Sequence, residues 1–139
     1  MANRSKDKGD RAEREAAALL ADLLGYKVRR KLGAGRADDT GDLDGVPDTV
    51  VQVADWADAI RAVRHKPEGA EAQRGNAGAT FAFSMVRMRG GVWRCVLTPE
   101  QMATYVRESD HTLGGCEECG DDDASVTLNL CHDCLMRRD

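Results

Sequence analysis

A chain of 139 residues suits one compact domain with an appendage and is short for two full domains. Its 42% hydrophobic and 32% charged content is that of a soluble globular protein, and no apolar run approaches the ~20 residues that cross a bilayer. The opening Met1-Ala-Asn-Arg-Ser-Lys-Asp-Lys8 is followed by no apolar stretch, so a secretory signal is not expected and the cytoplasm is the expected compartment, with no membrane partner.

The formal net charge of -4 conceals an asymmetry. Residues 1–36 carry ten Lys/Arg against five Asp/Glu, a balance of +5, whereas residues 110–139 carry two Arg against eight Asp/Glu, a balance of -6. Phosphate binding follows local basic surface more than whole-chain charge, so the front end admits nucleic acid as a partner.

In chain order, residues 1–9 are polar and are read as a flexible N-terminus. Asp10 to Leu24 follows as a helix, with Ala16, Leu19, Leu20, Leu23 and Leu24 on one face, Asp10 as its N-cap and Gly25 as its C-cap glycine. Tyr26 to Leu32 alternates basic and apolar residues as a strand does. A glycine-rich loop spans Gly33 to Gly41, then a short strand over Asp42–Val46, a turn at Pro47-Asp48 and a valine-dense buried strand over Thr49–Val53. Helix is expected from Asp55 or Trp56 to about Arg64, interrupted at Pro67 and resumed over Glu68–Asn76. Two strands, Ala79–Met88 and Val92–Leu97, flank the hairpin signal Arg89-Gly90-Gly91, and Pro99 opens a last helix to about Ser109. The resulting order, α-β-β-β-α-β-β-α, predicts an α/β, three-layer domain around a mixed sheet over residues 10–109, with a separate element over 110–139.

That last element carries Cys116-Glu-Glu-Cys119, eleven intervening residues, and Cys131-His-Asp-Cys134. Two C-x-x-C pairs at this separation point to one structural zinc ion held by Cys116, Cys119, Cys131 and Cys134, as a ribbon or knuckle closed to catalysis. His132 and His111 are bystanders, because four thiolates already complete the ion's shell. Cys95 reads as a core residue, and Trp56 and Trp93 as core or interface residues.

Lys8-Gly-Asp-Arg-Ala-Glu-Arg-Glu15, Arg29-Arg30, the loop Gly33-Ala-Gly-Arg36, Gly41-Asp-Leu43, Val50-Val-Gln-Val-Ala54 and Asn76-Ala-Gly-Ala79 stand in one order. Together they resemble the archaeal and phage Holliday-junction resolvases of the PD-(D/E)xK nuclease superfamily, over residues 8–107. The resemblance implies a restriction-endonuclease-like core and a metal-dependent endonuclease of DNA recombination, cutting branched or four-way-junction DNA as a homodimer. Its phage members imply a phage-encoded protein in a bacterial cytoplasm. Phosphodiester hydrolysis needs a hard cation, Mg²⁺ or Mn²⁺, held by carboxylates to polarise the phosphoryl oxygen and activate water. Carried over by position, Glu13 and Asp42 are the metal ligands, Gln52 stands at the second acid, and the catalytic set is Glu13, Asp42 and Gln52. Lys8, Arg29, Arg30 and Arg36 are the expected DNA contacts.

The sequence departs from the family where the lysine belongs, because Ala54 stands there. Three readings follow: an active variant whose cation comes from Lys66, Arg61 or Arg64, a fold that binds DNA or protein without cutting, or a lysine removed by design. Asp44, Asp55 and the Asp48 of a literal Pro-Asp are the alternative acids to Asp42.

Overall fold

The structure, a computed structural model, describes residues 4–32, 40–112, 124–125 and 130–131. Two compact units divide the chain between Gln101 and Met102, inside the last long helix rather than after Ser109.

Helix α1 runs Arg4–Leu24, so most of the stretch expected to be flexible is helical. Lys8 on its second turn meets Asp55 at 3.5 Å, which ties this early part to the sheet. The buried stripe is Ala12, Ala16, Ala17 and Leu20, whereas Leu23 is 71% and Leu24 44% exposed. The leucine-rich face expected from periodicity is therefore rotated in favour of alanines, whose small side chains let the helix lie close to the strands. Gly25, at φ 76°, closes the helix, donating its N–H to the Ala21 carbonyl at 2.9 Å.

Strands β1 (Arg29–Arg30) and β2 (Leu43–Asp44) form a short antiparallel pair, with Arg29 opposite Asp44 and Arg30 opposite Leu43. Both are shorter than the alternation suggested. Strand β3 (Thr49–Ala54) pairs in parallel with β4 (Phe81–Arg87), which pairs antiparallel with β5 (Trp93–Val96), giving a mixed sheet in the order β3-β4-β5. Helix α2 (Ala59–Ala77) joins β3 to β4 and passes through Pro67 without a break. One i→i−4 bond is lost there, but Ala62, Pro67 and Ala70 are buried along the helix, and that packing holds it together. Asp58 caps its start by accepting the Arg61 N–H at 3.0 Å, and Gly78, in the left-handed region, ends it.

The pleat of β3 divides the core. Val51 and Val53 join Met85 and the α1 alanines on one face. Val50 packs with Ala70 and Ala82, and Ala54 with Ala62 and Val86, on the other. Helices thus cover opposite faces of the sheet, as the element order predicts for an α/β layer arrangement. Cys95, expected in the core, is exposed because β5 is the outer strand of this sheet.

Helix α3 spans Pro99–Thr112. Near its start Gln101 is buried, taking the Ala82 N–H at 3.0 Å on its Oε1. In the second unit, β6 (Ala124–Ser125) pairs antiparallel with β7 (Leu130–Cys131), with Ala124 opposite Cys131. Of the strand expected over Val126–Leu130, only Leu130 lies among the described residues. None of the helices is long and apolar enough to cross a membrane, among the described residues.

Candidate functional site

The segment Gly41 to Gly45 is pressed between β1 and β3, and its two glycines explain how. A Cβ on Gly41 would lie 3.0 Å from Val50 Cγ1 and 3.1 Å from the Val51 carbonyl oxygen. At Gly45 it would lie 2.5 Å from the Lys27 carbonyl oxygen, and φ there is 111°, a conformation closed to side chains. Asp42 is thereby laid over β3. Its N–H donates to the Val51 carbonyl at 2.9 Å, its carbonyl accepts the Lys31 N–H at 2.8 Å, and its Oδ2 accepts the Val53 N–H at 2.8 Å.

Asp10 and Glu13 are three residues apart on α1 and so share a helix face. Arg30 of β1 reaches both. Its Nη2 donates to Asp10 Oδ1 at 2.5 Å and its Nε to Glu13 Oε2. All three side chains are largely withdrawn from water, at 23% exposure for Arg30 and Asp10 and 16% for Glu13. Burial pushes the Glu13 carboxyl above the ordinary glutamate range. The Arg30 hydrogen bond opposes this, while the negative charges of Asp42 and Asp10 add to it. The Glu13 contact in turn holds Arg30 still more firmly protonated.

Gln52 is not brought to this cluster. It lies on the α2 face of β3, 6% exposed, where a Cβ on Gly69 would meet its Oε1 at 3.3 Å. That oxygen has no hydrogen-bond partner, nor does the hydroxyl of Ser84, its register neighbour on β4. Ala54 is 2% exposed on the same face.

The remaining acids are each engaged. Asp44 faces Arg29 at 3.5 Å across β1–β2, both side chains being more than half exposed, and Asp55 faces Lys8. Asp48 of the literal Pro-Asp is a turn residue at φ 51°, accepting the Thr80 N–H at 3.0 Å. The Thr80 side chain, followed by this N–H, holds its carboxyl below the ordinary range.

Arg29, Arg30, Lys31, Leu32 and Asp44 line a concavity of about 370 Å³. Lys31 donates to Thr40 Oγ1 there. Arg36 lies outside the described residues, as do Cys116, Cys119, Cys134 and His132, and of Cys131 only its backbone place in β7 is described. Among the proposed replacement cations, Lys66 sits 5.6 Å from the centroid of the Trp56 ring, and Trp56 is 39% exposed. Trp93 packs partly buried against the α1 core, with its Nε1 donating to Glu15 at 2.9 Å. Arg87 donates to the same carboxylate oxygen at 3.2 Å, and the Trp93 bond leads the effects that draw the Glu15 carboxyl below the ordinary range.

Sequence reasoning placed Asp10 at the helix start and missed it as a partner of Glu13. The i, i+3 spacing of the two acids was the available signal. No protein-family model matches the chain, and neither a curated protein nor a solved structure matches it.

Proposed function

We propose that this chain is a DNA-binding module with a restriction-endonuclease-like core that engages branched DNA as a homodimer without cutting it. The observation that carries the reading is the orientation of β3. Gln52 and Ala54 both face α2 inside an apolar layer, while Glu13 and Asp42 lie on the α1 side. A second acid and a lysine that must flank a reacting phosphate therefore have no counterpart beside Glu13 and Asp42. What remains at the surface is basic: the exposed Arg29 and the concavity it lines with Lys31. Among the described residues the acid facing it is Asp44, itself exposed, and such a pair contributes little and yields readily to a phosphate. The four tail cysteines would hold a structural zinc ion, which purified protein should contain at one equivalent and lose on Cys116→Ser.

A labelled four-way junction and a linear duplex of equal length test the reading, each with Mg²⁺ and with Mn²⁺. The expected result is tighter binding to the junction, affinity falling steeply with salt, and no cleavage product. Arg29→Ala and Lys31→Ala should weaken binding and each lower the salt slope by about one. The absence of salt-dependent affinity would overturn the proposal.

One observation favours the alternative, a metal-dependent junction endonuclease: Asp42 is near enough to Glu13 for its negative charge to push that carboxyl up, so the two acids share one locality. Nicked junction appearing with either ion, and lost in Asp42→Ala, would establish that reading instead.

A further inference from the structure

We infer that Arg30 is the resident cation of the Asp10–Glu13–Asp42 site and keeps it closed to divalent metal. Two features support this. The guanidinium engages both α1 carboxylates at once, through separate nitrogens, from strand β1. A planar fork with several fixed donors suits this double contact, where lysine would offer one point charge. Second, Asp42, the acid contributed from the sheet side, already has Oδ2 bound to the Val53 N–H. The two α1 carboxylates that a hard cation would need are thus organised around an arginine.

The charge balance explains why the arrangement persists. Without Arg30, two carboxylates one helical turn apart would face each other in a site mostly shielded from water, with Asp42 adding a third negative charge. Like charges so placed resist joint ionisation. Either a guanidinium or a divalent ion relieves them, and this chain carries the first within its own fold. Lys8, two residues before Asp10 on α1, is engaged with Asp55.

The inference concerns metal and not DNA, so it can fail while the DNA-binding reading stands, and the reverse. Its test is Mn²⁺ alone, added to full-length protein and followed by thermal unfolding and by water-proton relaxation. The relevant signal is the part abolished by Glu13→Gln, which sets aside any ion on the acidic tail. Wild type should show no such signal at millimolar Mn²⁺. Arg30→Gln and Arg30→Met should be destabilised and should gain saturable Mn²⁺ binding that raises their melting temperature by several degrees. A variant unfolded without metal that folds when Mn²⁺ is added would support the inference equally. Glu13-dependent Mn²⁺ binding by wild type would overturn it. So would Arg30 variants, folded or unfolded, that do not respond to the ion.

Discussion

The Asp42 carboxylate holds the backbone of Val53, accepting its N–H at 2.8 Å through Oδ2. One side chain thus fastens the β2 segment to strand β3, and this structural duty is separable from metal binding. Asp42→Ala leaves a part-buried N–H without its partner and should cost roughly 1–3 kcal/mol. Asp42→Asn keeps an acceptor oxygen and should lose less than half of that. Urea unfolding gives both values. If the site does not work through a metal, Asp42→Asn binds junction DNA like wild type; a loss of binding in that variant at unchanged stability would contradict this.

Gly45 makes a sharper claim on stability. A methyl group there would stand 2.5 Å from the Lys27 carbonyl oxygen at a φ of 111°. Neither the backbone it meets nor its own conformation can yield cheaply, so Gly45→Ala should destabilise by about 3 kcal/mol or more. Gly75→Ala, in α2 with nothing within 4 Å of the added atom, should be neutral or slightly stabilising by helix propensity. Equal melting temperatures for the two variants would refute the packing argument.

These two cases mark what could be read in the amino-acid order. Element order was legible because valine-dense and alternating stretches have different periods, and Gly25 marks a helix end in its usual way; the cap signals of Asp58 and Gly78 were passed over, which put the α2 start at Asp55 or Trp56. Pro67 misled, because the rule for helix interiors weighs one lost hydrogen bond and cannot see the sheet that buries Ala62 and Ala70 beside it. The α1 face misled for the complementary reason. Leu23 and Leu24 fit the hydrophobic period, but close approach to Val51 and Val53 selects the alanines. At the site, Glu13 and Asp42 could be singled out from their motifs. That Arg30 would meet Glu13 rather than a phosphate, and that Gln52 would face Gly69, depends on strand register and pleat, which local sequence does not encode.

Acid titration should isolate Glu13. Burial, the largest influence, holds its carboxyl above the ordinary glutamate value, so over that interval the folded chain binds more protons than the unfolded one. Stability therefore declines as pH rises from the ordinary glutamate value to the raised one, then levels off. Glu15 and Asp48 are shifted the other way, and their contributions are lost as pH falls. Subtracting Glu13→Gln from wild type removes the terms common to both. The difference in unfolding free energy should fall with rising pH across that window and stay flat to neutrality. A difference that rises with pH would mean that Arg30 outweighs burial at this carboxyl.

Strand β3 supplies the most direct contest between binding and cutting. Ala54 is 2% exposed against Ala62 and Val86, both at 0%. A lysine at this position would press an ammonium and four methylenes into a filled apolar layer. Ala54→Lys should therefore lose about 3 kcal/mol or more and gain no cleavage. Gln52→Leu acts in the opposite direction. It removes a buried Oε1 that has no partner and substitutes a side chain of similar bulk, so its stability should stay within ~1 kcal/mol of wild type or rise. Junction affinity should be unchanged, because Gln52 faces α2 and not the basic surface. Thermal unfolding with a junction cleavage assay on both variants decides the matter. A folded Ala54→Lys protein that nicks junctions with Mg²⁺ would place the reacting phosphate beside β3 and overturn the non-cutting reading.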